Sequence, residues 1–217
     1  ENSRMKKKPI YLLVILLIVS SLLTACSSGA GLANSWPGLT VDEGRETVYV
    51  AYQTFVYALN SSNGTERWRY PEKADNKISF YASPTLTDGG QLVAGSYDFN
   101  LYSLSPDNGA LQWTFADAEN RYIASSLSTD GLILAPNADN LLYAVNENGE
   151  RVWDFKTEHS LWGTPASNGS LVYVPSMDRK IYALDRASGS LQWTTEALGG
   201  ALVAHPVLNS DGLLYVG

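Results

Sequence analysis

The residues that lend themselves to chemistry are few. His159 and His205 are the two histidines, far apart and without a partner motif. A general base or a metal site needs further groups at fixed spacing, so each reads as a loop or surface histidine. Asp98, Asp139 and Asp178 fall at equivalent turn positions, where a carboxylate serves hairpin chemistry. No out-of-register Asp, Glu or Asn cluster marks a calcium site. The single cysteine, Cys26, makes neither an intramolecular disulfide nor a cysteine-based zinc centre. Four tryptophans, Trp68, Trp113, Trp153 and Trp193, offer flat surfaces on which a planar cofactor stacks. Such a cofactor uses one special ring, whereas these four recur at the same place in successive units, as a packing role requires. Burying each ring is worth about 2–4 kcal/mol of apolar area. Trp36 and Trp162 lie off this ladder, and Trp162 is the better candidate for an exposed contact.

The composition narrows the classes further. The 217 residues include 15 Lys+Arg against 22 Asp+Glu, a net charge of −7. With 45% hydrophobic, 11% aromatic and 17% charged residues, the chain does not read as disordered. Its acidity argues against nucleic acid as a partner, because phosphate binding needs a basic surface. Neither a metal nor a cofactor is expected.

Residues 1–25 read as four upstream residues followed by a signal peptide. Lys6, Lys7 and Lys8 follow Met5 and precede an unbroken apolar run over 10–19. That run is short for a membrane span of about 20 residues and suits a secretory signal. Leu23-Thr24-Ala25-Cys26 closes it and resembles a bacterial lipobox. The resemblance implies cleavage before Cys26 and attachment of a diacylglycerol to its thiol. An uncleaved anchor helix and a buried core cysteine are the alternatives. Without Glu1, Arg4 and the three lysines, residues 26–217 keep 11 basic and 21 acidic groups, a net of −10. So acidic a domain is repelled by anionic lipid, and the lipid on Cys26 is the expected membrane attachment. Residues 26–35 form a small, polar tether.

The elements that carry the tryptophans repeat across 36–217. Tyr57-Ala58-Leu59, Tyr102-Ser103-Leu104, Tyr143-Ala144-Val145 and Tyr182-Ala183-Leu184 each precede a glycine and a ladder tryptophan. The glycines are Gly64, Gly109, Gly149 and Gly189. The period of about 40 residues is that of a repeat architecture. Ser83-Pro84, Ser125-Ser126, Thr164-Pro165 and His205-Pro206 open the next unit, and Trp36-Pro37 opens the first. In the clearest unit the expected strands cover about 163–167, 171–175, 180–185 and 191–195. Asn168-Gly169 and Ser188-Gly189 lie between them, and Asn-Gly and Asp-Gly pairs hold these places in the other units, suited to two-residue hairpins. Asn60, Asn63 and Asn168 also head glycosylation sequons, which read here as turns. A four-stranded antiparallel meander buries both faces only between neighbours, which predicts an all-β propeller. A stacked solenoid is the runner-up.

The run Gly163-Thr164-Pro165-Ala166-Ser167 through Ile181-Tyr182-Ala183-Leu184 to Trp193 resembles the PQQ-like β-propeller repeat. That repeat occurs in quinoprotein dehydrogenases and in the BamB-like barrel-assembly lipoproteins. The resemblance spans 36–217 and implies four blades plus the start of a fifth, an open arc of a ring of about eight. A fragment of a longer protein, with sticky open ends, is the corresponding expectation. The dehydrogenases cover the quinone with a cysteine pair and hold Ca²⁺, and this sequence has neither the pair nor the acidic cluster. The expected function is therefore a non-catalytic, lipid-anchored scaffold for envelope proteins, outside the cytoplasm and possessing no active site of its own. A quinone-dependent dehydrogenase subunit with its active site elsewhere is the alternative. A cell-wall carbohydrate module using Tyr70, Phe80, Tyr81 and Tyr97 is the third reading.

Overall fold

The computed structural model describes residues 38–217, and every regular element among them is a strand. Cys26, the apolar run over 10–19 and Trp36 lie outside the described residues. Blade 1 is built from β1 (Gly38–Asp42), β2 (Thr47–Tyr52), β3 (Phe55–Asn60) and β4 (Glu66–Tyr70). Blade 2 has β5 (Thr85–Leu86), β6 (Leu92–Gly95), β7 (Leu101–Leu104) and β8 (Leu111–Phe115). Blade 3 has β9 (Leu127–Thr129), β10 (Leu132–Pro136), β11 (Leu141–Asn146) and β12 (Arg151–Lys156). Blade 4 has β13 (Ala166–Ser167), β14 (Leu171–Pro175), β15 (Ile181–Asp185) and β16 (Leu191–Thr194). A fifth, two-stranded sheet pairs β17 (Val207–Leu208) with β18 (Leu214–Tyr215). Each blade is an antiparallel meander in sequence order, and the strands of the clearest unit fall where its turn residues put them.

The core lies between blades, because strand side chains alternate and each blade has two apolar faces. Leu92, Ala94, Tyr102 and Leu104 of blade 2 pack against Tyr49, Ala51, Val56 and Ala58 of blade 1. Val93 and Leu101, from the opposite face of blade 2, pack against Ile133, Ala135, Tyr143 and Val145 of blade 3. Leu134, Leu142 and Ala144 meet Val172, Val174, Tyr182 and Leu184 in the same way. Tyr173, Ile181 and Ala183 are covered by Leu202, Leu208 and Leu214 around the fifth sheet.

One joint recurs at three of these interfaces. In every blade the pairing of third and fourth strands slips by one residue beside the tryptophan, a β-bulge that re-aims the side chain. Trp68, Trp113 and Trp153 lie on the hairpin glycines of the following blade. A Cβ added at Gly109, Gly149 or Gly189 comes within 2.6–2.8 Å of the respective indole. All three glycines have φ between +71° and +81°. The indole N–H of each ring donates across the joint, to Pro106 O at 2.9 Å, Glu147 O at 2.9 Å and Arg186 O at 3.0 Å. Trp193 is different. It is 43% exposed, against 9% for Trp68 and Trp153, because no hairpin glycine faces it among the described residues. Gly64 of blade 1 is the complementary case, with φ +71° and nothing within 4 Å of an added Cβ.

The repeated aspartates are turn residues, as their spacing predicts. Oδ1 of Asp139 and Asp178 accepts the backbone N–H two residues on, at 3.0 Å in both turns. Oδ2 accepts the phenol four residues on, Tyr143 and Tyr182, at 2.7 Å. Tyr102 donates to Asp98 in the same manner. Burial first, and the aspartate second, push all three phenols well above the ordinary tyrosine value. The sequon asparagines are turn residues too: Asn60, Asn63 and Asn168 accept the N–H two positions on.

Candidate functional site: the mouth of the axial groove

The segments joining one blade to the next carry a second repeat, at a fixed offset from Ser83-Pro84, Ser125-Ser126, Thr164-Pro165 and His205-Pro206. Phe80, Tyr122, Leu161 and Leu202 are buried anchors. Their backbone N–H groups donate to Gln53 O, Ser96 O, Asn137 O and Ser176 O in the turn of the preceding blade, at 2.7–3.2 Å. Tyr97, Ala138 and Met177 return a bond to Ser79 O, Arg121 O and Ser160 O at 2.8–3.1 Å. The Phe80, Tyr122 and Leu161 segments are thus pinned from both sides, and the Leu202 segment from one.

The residue after each anchor points out. These are Tyr81, Ile123, Trp162 and Val203, with Trp162 40% and Val203 50% exposed. Small residues follow them: Ala82, Ala124, Gly163 and Ala204. The crowding there is visible at Gly163, where a Cβ falls 2.6 Å from Ala204 O. Together the four segments line a groove of about 320 Å³ bounded by Ser83, Ser125, Thr164 and His205. Beside it, Tyr97, Arg121, Ile123 and Trp162 border a second hollow of about 360 Å³.

An aromatic and cationic cluster sits on this rim. Tyr81 and Tyr97 stack at 3.9 Å, and the Arg121 guanidinium lies 5.2 Å from the Tyr97 ring centre. Burial raises the Tyr97 phenol above its ordinary value, with Arg121 opposing it. Arg121 is the odd residue of its register, which holds Ser79, Ser160 and Ala201 in the other segments.

The expected contact residues divide accordingly. Trp162 is exposed on the rim. Tyr81 and Tyr97 are half-buried on it. Phe80, taken as exposed in the carbohydrate reading, is fully buried: it bridges Gln53 and Ser96 and packs edge-on against Tyr102. Tyr70 packs on the core between blades 1 and 2. His205 lines the groove, and His159 is an exposed loop residue whose Nδ1 accepts the Ser160 N–H at 2.8 Å. Among the described residues no group of three or more His, Cys, Asp or Glu side chains is placed to hold a metal ion, and no helix is long and apolar enough to cross a membrane. The row of Tyr81, Ile123, Trp162 and Val203 was not singled out from sequence as a set. Its signal is the constant offset from the unit-opening pairs.

BamB from Moraxella catarrhalis superposes with a TM-score of 0.67 at 20% identity, over 85% of this chain and 54% of that one. The computationally designed Ika8 protein matches with a TM-score of 0.67 at 14% identity, over 82% and 56%. A chain of the mitotic checkpoint complex matches with a TM-score of 0.68 at 16% identity, over 79% and 53%. The chain therefore spans about half the length of these solved structures, and likenesses at such identities establish the fold. No curated protein matches the chain. The family model described as outer membrane protein assembly factor BamB matches residues 24–137 and 138–217. With blade, bulge and Trp–Gly joint repeating through those same residues, the chain belongs to the BamB family of PQQ-like β-propellers.

Proposed function

We propose that the chain is a non-catalytic scaffold of the cell envelope, tethered to a membrane by a lipid on Cys26 and binding proteins at the mouth of its axial groove. The observation that carries this reading is the pinned row of Tyr81, Ile123, Trp162 and Val203. Large apolar side chains are held outward at one position per blade, on loops whose backbone is fixed by the blades. Rigid loops bearing exposed aromatics are where a scaffold places its contacts. Family membership supports an envelope location, and the family description supports a role in outer-membrane protein assembly. The Lys-led apolar run and lipobox-like segment before Cys26 support the lipid tether.

A photo-crosslinking residue at position 162 tests the binding half in cells, and a Cys26 variant tests the lipid. Envelope proteins identified by mass spectrometry are expected from position 162 and not from the blade-edge position 152, which is equally open to solvent. Cys26→Ala is expected to release the protein from membranes and to abolish labelling by a fatty acid. Equal crosslinking from both positions would refute the binding role, and membrane retention of an unlabelled wild type would refute the lipid.

A further inference from the structure

We propose that the hollow between Tyr97, Arg121, Ile123 and Trp162 takes an extended peptide segment with a carboxylate beside an aliphatic or aromatic side chain. This rests on the scaffold reading and names the chemistry of its partner.

Charge complementarity carries the proposal. Arg121 makes no ion pair among the described residues, a state it shares with Arg67 and Arg179, and it is the one cation in the lining of the hollow. Apart from Glu119, two residues before Arg121 in the chain, the carboxylates of these turns are engaged elsewhere. Asp98, Asp139 and Asp178 hold the tyrosines of their own blades, and Asp117 and Glu158 pair with Arg151 and Lys180. A single cation therefore stands in the lining of a hollow on an otherwise acidic domain, where it attracts an anionic group. The Tyr97 ring under the guanidinium holds it at the rim.

The rest of the lining favours an apolar body over a sugar. Ile123 and the exposed Trp162 ring flank the arginine. Two of the polar neighbours already have partners: Asn120 Oδ1 accepts the Arg121 N–H at 2.9 Å, and Ser160 Oγ donates to Ala138 O at 2.9 Å. The several hydroxyls of a glycan would find few free groups, and unpaired polar groups are costly. One carboxylate and one or two apolar side chains match what is free. The hollow, about 360 Å³, is of the size that holds a short segment.

The test titrates the full chain with acetyl-Leu-Glu-Phe-amide and acetyl-Leu-Gln-Phe-amide by calorimetry. The glutamate peptide is expected to bind at least about tenfold more tightly, with the difference shrinking in high salt. Arg121→Gln should erase the discrimination, and Trp162→Ala should weaken both peptides about tenfold. Both side chains are exposed, so an unchanged circular dichroism spectrum verifies the fold of each variant. The proposal falls if neither peptide saturates at millimolar concentration. It also falls if discrimination survives in Arg121→Gln, or if chito-oligosaccharide binds at Trp162 in preference to the peptides. Crosslinking from position 162 reports separately: partners captured without glutamate discrimination leave the scaffold standing and overturn this inference. Discrimination without captured partners does the reverse.

Discussion

Alanine at Gly189 and at Gly64 separates the energy of the inter-blade joint from the strain of the hairpin that carries it. Both glycines have φ +71° and occupy the same hairpin between third and fourth strands. An L-residue held in this left-handed region costs about 1–2 kcal/mol, and that cost is common to both sites. At Gly64 an added Cβ meets nothing within 4 Å, so Gly64→Ala should cost about 1–2 kcal/mol in all. At Gly189 the Cβ falls 2.6 Å from Cδ2 and Cε3 of Trp153 and 3.0 Å from Cγ. Overpacking of this kind adds about 1–3 kcal/mol. Displacing the indole also strains its hydrogen bond to Arg186 O, worth about 1 kcal/mol. Gly189→Ala should therefore cost about 2–6 kcal/mol, some 2 kcal/mol more than Gly64→Ala. Urea denaturation followed by circular dichroism measures the difference. With a slope of about 2 kcal/mol/M, 2 kcal/mol separates the two midpoints by about 1 M. Tryptophan emission should shift to the red in folded Gly189→Ala alone. Coincident midpoints would refute the joint as a source of stability.

Three further outcomes follow from the same contacts. Trp153→Ala should destabilise by about 3–5 kcal/mol, as large-to-small core changes do, while the half-exposed Trp193 should cost under about 1.5 kcal/mol on truncation; equal losses in denaturation would contradict the unequal burial. Tyr143→Phe removes a hydrogen bond to a carboxylate and should cost about 1.5–3 kcal/mol, whereas Tyr122→Phe should cost almost nothing, since the Tyr122 hydroxyl is buried without a partner among the described residues. Burial pushes Tyr49 up to about 12, and Tyr102, Tyr143 and Tyr182 rise further. An unfolded tyrosine ionises near pH 10, so the unfolded chain releases protons that the fold retains. Stability should hold up to about pH 10 and fall above it, and a flat pH titration of stability between 10 and 12 would contradict that.

Strand order, blade number and hairpin position were legible in the sequence because they are local or periodic. The Asn-Gly and Asp-Gly turns and the step of Trp68, Trp113, Trp153 and Trp193 suffice for them. The partner of each tryptophan was not legible. Gly64 and Trp68 belong to one hairpin in the sequence, yet Trp68 lies on Gly109 of the next blade. A period states that two features repeat, and packing decides which copies meet. Phe80 and Tyr81 show a second limit. Adjacent extended residues point to opposite sides, so composition alone cannot tell the buried one from the exposed one. The mouth row was hidden for a related reason: Tyr81, Ile123, Trp162 and Val203 share an orientation and no residue type.

The Trp–Gly joint also gives each unit a polarity, with a projecting ring on one side and a receiving hairpin on the other. Units of this kind connect like head-to-tail monomers, and any one fits behind any other. Copying a whole period adds one ring and one receiver together, so duplication or loss of a unit leaves the interior joints matched. Recombination within a period does not have this property. The joints thus tolerate shuffling of blades while the rim residues drift, and new binding surfaces can arise at the mouth one blade at a time without renegotiating the core.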